Sequence, residues 1–211
     1  MIKYTLIDLA SIAVFALPSA WLPMALCKNK SVKRYFWISI FMVYLCGLAD
    51  VVGLPSLSHL TWEPTVNFVP FSSERDARYF LQLGLNALLF VPLGFLLPIL
   101  WRRYRSWKRI ALIGFLISLS IEILQLFSFR FTDVDDLILN TFGAFIGYGV
   151  AWCCFHKSWD RACPSGAGRA RDLPELLLLL AIPLLVVFFL RAPFTEWLYS
   201  LPLFASPVLP G

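Results

Sequence analysis

Six apolar stretches divide this chain, at about 4–26, 35–54, 79–101, 109–129, 135–155 and 173–190. Each is near the roughly 20 residues that an α-helix needs to cross the hydrocarbon core of a bilayer. Inside that core every backbone N–H and C=O must be satisfied within the segment, so runs of this length become helices. The chain therefore reads as one all-α membrane domain over residues 1–211, a polytopic transmembrane bundle of about six spans. Composition agrees: 59% of residues are hydrophobic and 15% are charged, against about 25% charged in soluble domains. The first run carries Lys3 and Asp8 and lacks a small-residue cleavage site before the basic cluster that follows. It reads as a retained span.

The basic residues set the orientation. Three alternate loops hold Lys28, Lys30, Lys33 and Arg34; Arg102, Arg103, Arg105, Lys108 and Arg109; and Lys157, Arg161, Arg169 and Arg171. Together they account for 13 of the 18 Lys and Arg residues. A net charge of +5 spread in this way is the signature of membrane topology, not of a nucleic-acid surface. The expectation is three cytoplasmic loops, with both termini and the other two loops outside. The longest connection, 55–78, contains NFVPF at 67–71 and is expected to dip into the membrane interface. FTEWLYSLPLF at 194–204 has the composition of a segment lying at the outer surface.

Polar residues gather at one junction, SLSIEILQLFSFRFTDVDDLILN at 118–140. The fourth span runs outward and places Ser118, Glu122 and Gln125 on one helical face. Glu122 is expected roughly 10 Å below the outer end at about 1.5 Å per residue. The fifth and third spans run inward and bring Asn140 and Asn86 to a similar depth. Arg130, Asp133, Asp135 and Asp136 close the top, and Asn67 of NFVPF is their expected neighbour. Asp133 and Asp135 also suit a helix N-terminus, where acidic groups cap free N–H groups. Asn86 and Asn140 suit hydrogen bonds between helices. A carboxyl at the depth of Glu122 needs a partner, a proton or a use.

Gly143-x-x-x-Gly147 is a small-xxx-small pattern, expected to pack within the bundle. Pro92 and Gly94 are expected to loosen the third span and open a cavity beside Asn86. The five cysteines show no CxxC spacing, and His59 and His156 are isolated from them and from each other. No metal or cofactor motif is present.

NFVPF at 67–71, NALLFVPLGFLLP at 86–98 and IEILQLFSFRFTDVDDLILNTFGAFIGY at 121–148 together resemble the VanZ-like membrane proteins. The resemblance covers residues 67–148 and implies a small polytopic protein of the bacterial cytoplasmic membrane. It also implies lowered sensitivity to teicoplanin-type glycopeptides. The reading that follows is a binder of a membrane lipid or lipid-linked envelope precursor, or of the glycopeptide itself, through Glu122, Gln125, Arg130, Asp133, Asp135, Asp136 and Asn140, with Asn86 and Asn67 in support. Two alternatives stand beside it. In one, a membrane enzyme uses Glu122 as acid/base or the Asp cluster as a divalent-cation site. In the other, a transporter uses Glu122 as a proton site.

Overall fold

The computed structural model describes residues 31–57, 77–127, 132–162 and 169–200, with positions 14, 18, 60, 62, 66, 67, 69 and 70. Its elements are α1 (Val32–Val51), β1 (Val66–Asn67), α2 (Ala77–Leu100), a single 3-10 turn (Arg102–Tyr104), α3 (Trp107–Gln125), β2 (Thr132–Asp133) and α4 (Val134–Phe155). A short α5 (Trp159–Ala162) leads to α6 (Arg169–Val186), a π-helical turn (Val187–Arg191) and α7 (Ala192–Ser200). Among the described residues, four helical stretches are long and apolar enough to cross a membrane: Val32–Val51, Tyr79–Leu100, Val134–Phe155 and Asp172–Leu190. Helix α3 is of similar length but carries three charged residues, Lys108, Arg109 and Glu122. Of the first expected span, only Val14 and Pro18 are described.

The long helices are apolar all round, which is the mark of a helix with protein on one side and lipid on the other. In α1 the buried residues Ile38, Phe41, Met42, Leu45 and Leu48 recur every three or four positions. Phe36, Ile40, Val43 and Val51 stand exposed on the remaining surface. The same division holds in α4, where Ile138, Phe142, Phe145 and Ile146 are exposed. So many exposed large apolar side chains would make an aggregating surface in water and an ordinary one in hydrocarbon.

The most extensive helix contact is between α2 and α4, and glycine makes it possible. A Cβ added at Gly143 would collide with the Ala87 carbonyl, and one at Gly147 with the Val91 carbonyl. One at Gly94 would collide with the carbonyl of Ala144. The two backbones are thus in direct contact along the seam, as small residues allow in membranes. Gly94 seats α2 against α4, and α2 continues as a helix through both Pro92 and Pro98.

The three basic loops converge on one end of the bundle. Arg34 Nη2 donates to both carboxylate oxygens of Glu175, at 2.6 and 2.7 Å, and its Nη1 donates to the Leu100 carbonyl. Arg102 and Arg105 both pair with Asp160. Helix α2, roughly 36 Å long at about 1.5 Å per residue, carries the chain from this basic end to the polar one.

Candidate functional site

The polar end is assembled by a long-range strand pairing. Val66–Asn67 and Thr132–Asp133 run parallel, Val66 opposite Thr132 and Asn67 opposite Asp133. Helix α3 stops at Gln125, with a tight turn in which the Phe127 N–H donates to the Leu124 carbonyl. The chain thus leaves the helix a few residues earlier than the hydropathy pattern predicts. Trp62 of the long connection packs on Phe127, ring centroids 5.0 Å apart. Trp62, Val66 and Asn67 thus lie against the end of α3 and the start of α4.

Four carboxyl groups meet there, each with an assigned task. Asp133 is the N-cap of α4: its Oδ1 accepts from the Asp135 N–H at 3.0 Å. Its Oδ2 accepts from Asn67 Nδ2 at 3.4 Å. Asp135 and Asp136 occupy the first turn of α4, where negative charge complements the helix dipole. Asp135 is buried and its Oδ2 accepts from the Tyr79 hydroxyl at 2.9 Å. Asp136 accepts a short hydrogen bond from Asn86 Nδ2. Glu122 is also buried, and its Oε2 accepts from the backbone N–H of Asp133 at 3.3 Å. Glu122 therefore holds β2 in place, while the half-buried Asn67, Asp133, Asp136 and Asn86 form the reachable rim. Among the described residues, no three His, Cys, Asp or Glu side chains are grouped so as to hold a metal ion.

Two of the expected site residues turn away from this rim. Gln125 Nε2 donates to the Val52 carbonyl at 2.7 Å, fastening α3 to the end of α1. Asn140 Nδ2 donates to Ser118 Oγ at 2.9 Å in the interior between α4 and α3. Both are interhelical struts below the site. Arg130 lies outside the described residues. Tyr79 was readable only as the start of a span; the signal for its role is its place opposite the acidic start of the fifth.

Beside the polar end lies an apolar cavity of about 310 Å³ between α1, α3 and α6. Leu45, Leu48, Ile121, Leu124 and Leu180 line it, with Val52, whose carbonyl accepts from Gln125.

Residues 41–155, over half of the chain, match the family model described as VanZ/LLP1. The chain belongs to the VanZ/LLP1 family. A 91-residue stretch is also 31% identical to "Protein VanZ" of Enterococcus faecium, covering 41% of this chain and 54% of that protein. The chain thus spans about half the length of that curated relative. No solved structure matches it. The VanZ/LLP1 match begins earlier than the motifs at 67–148, within α1. The structure gives a reason: Tyr44 of α1 donates to the Leu89 carbonyl of α2, and Val52 receives Gln125. The end of α1 is part of the framework that carries the site.

Proposed function

We propose that this VanZ/LLP1 protein binds a lipid-linked cell-envelope component at its carboxylate-rich end, and that occupancy of this site lowers sensitivity to teicoplanin-type glycopeptides. The observation that carries the reading is the convergence of Asp133, Asp136, Asn67 and Asn86 on one half-buried rim, fixed from behind by Glu122 and Tyr79. Carboxylates accept hydrogen bonds from hydroxyl and ammonium groups, and Asn side chains both donate and accept. Such a rim suits a glycan or amine-bearing headgroup. The neighbouring apolar cavity supplies surface for a lipid tail, as ligand sites combine apolar walls with a few fixed polar groups. The basic loops gather at the opposite end, which by the positive-inside rule turns the rim outward.

The test is expression in a teicoplanin-sensitive bacterium at matched membrane levels. The unaltered protein should raise the inhibitory concentration. Asp136→Asn and Asp133→Asn should return it to that of the host. Glu122→Gln should retain part of the effect, because a glutamine oxygen still accepts from the Asp133 N–H. Full protection by both aspartate variants would remove the rim from the mechanism. No protection by the unaltered protein would remove the resistance reading altogether.

A further inference from the structure

The opposite end of the bundle holds a second cavity, of about 370 Å³, lined by Arg103, Tyr104, Arg109, Leu112, Ile113 and Leu173. Its arginines differ from their neighbours. Arg34, Arg102 and Arg105 each pair with a carboxylate. Among the described residues, no ion pair engages Arg103 or Arg109. Arg109 is instead tied back, its Nη1 donating to the Arg103 carbonyl at 2.7 Å. The Arg103 N–H in turn donates to Asp172 Oδ2 at 3.1 Å. These two bonds fix the backbone of the arginine pair against α3 and the start of α6.

Tyr104 is the second observation. The residue is only 2% exposed, and its hydroxyl is buried with no hydrogen-bond partner among the described residues. A buried hydroxyl without a partner is costly, because it has given up water for nothing. Burial pushes its pKa above the ordinary value, the Arg103 guanidinium pulls it down and the Asp172 carboxylate pushes it up again, so it stays protonated at neutral pH. Arg103, Arg109 and Tyr104 line a single small cavity, and guanidinium geometry matches phosphate oxygens. The other walls are apolar, and Leu112 is 56% exposed on the bundle surface, so the cavity opens beside a lipid-facing strip.

We infer that Arg103, Arg109 and Tyr104 bind the phosphate of an anionic phospholipid headgroup at the basic end of the bundle, with an acyl chain lying along Leu112, Ile113 and Leu173. Basic pockets between membrane helices on this side are suited to such headgroups. The lipid would complete the hydrogen bonding of Tyr104 and neutralise two like charges.

The test uses the full chain purified in a neutral detergent. Binding of short-chain phosphatidylglycerol, short-chain phosphatidylcholine and inorganic phosphate is measured by native mass spectrometry and by the shift in thermal midpoint. Arg103→Gln with Arg109→Gln should weaken phosphatidylglycerol binding by about tenfold or more, the scale of losing charge-assisted hydrogen bonds. Tyr104→Phe removes one oxygen atom and should weaken it by about three- to tenfold. Lys108→Gln with Lys157→Gln removes the same charge from exposed positions outside the cavity and should have less than about a twofold effect. Equal losses in the two double variants would reduce the site to surface electrostatics and overturn the inference, as would unchanged affinity in Tyr104→Phe. Binding of inorganic phosphate as tight as that of phosphatidylglycerol would overturn the lipid assignment in favour of a free-phosphate site.

Discussion

Asn140 and Ser118 join α4 to α3 through a buried bond, Nδ2 to Oγ at 2.9 Å. Hydrocarbon offers neither group an alternative partner, and the pair fixes the rotation of one helix against the other. Ser118→Ala should therefore lower stability by about 0.5–2 kcal/mol. Adding Asn140→Leu to Ser118→Ala should recover part of that loss, because no buried amide is then left unpaired. Unfolding in mixed detergent micelles measures both. Additive losses would show that the two residues act separately.

The α2–α4 seam makes a contrast between two glycines of the same helix. At Gly143 a Cβ meets the Ala87 carbonyl, whereas at Gly149 it meets nothing within 4 Å. Gly143→Ala should cost about 1–3 kcal/mol by forcing the helices apart. Gly149→Ala should change stability by no more than about 0.5–1 kcal/mol, and toward greater stability, since Ala is the better helix former. The yield of monodisperse protein and its unfolding midpoint separate the two.

Arg34 and Glu175 form a buried ion pair whose side chains are 2% and 13% exposed, with the Trp101 indole donating to the same carboxylate. Removing one partner leaves the other charged in a desolvated site. Glu175→Ala should cost about 3–5 kcal/mol. The double replacement Arg34→Met with Glu175→Leu should fold better than Glu175→Ala alone. The comparison is made by denaturant titration of the purified proteins.

Asp160 gives the pH dependence of the basic end. Burial works against its ionisation, but hydrogen bonds and charge from Arg105 and Arg102 together outweigh it and hold its pKa below the ordinary 3.8. A depressed carboxyl pKa contributes stability above the unfolded value, and that contribution is lost as pH falls through the folded value. The Asp160 contribution should thus be constant from neutral pH down to about 5 and disappear below 3.8. Asp160→Asn should show a small loss at pH 7 and converge with the unaltered protein in acid. The pair is exposed, so the difference at neutral pH should stay under about 1 kcal/mol and shrink in high salt.

Much of the architecture was legible in the residues. Long apolar runs require helices in a bilayer, the alternate basic loops place one set of helix ends together, and Gly143 with Gly147 announces close packing. The neighbourhood of Glu122, Asp133, Asp135 and Asp136 was legible too, since helical rise fixes depth along an axis. Partner choice was not. Gln125 shares a helical face with Glu122, yet it reaches Val52 on α1 instead of the carboxylate rim. Asn140 serves Ser118, and Glu122 serves a backbone N–H.

The sequence by itself determined the solvent, the helices and the end of the bundle where the acidic groups collect, because hydropathy and a constant rise per residue are local properties. Only the tertiary structure decided which groups touch. Helix rotation and neighbours come from interhelical packing, here the glycine seam that sets α4 against α2. The strand pairing of Asn67 with Asp133 joins residues 66 positions apart. That pairing completes the rim, and no periodicity in the chain announces it.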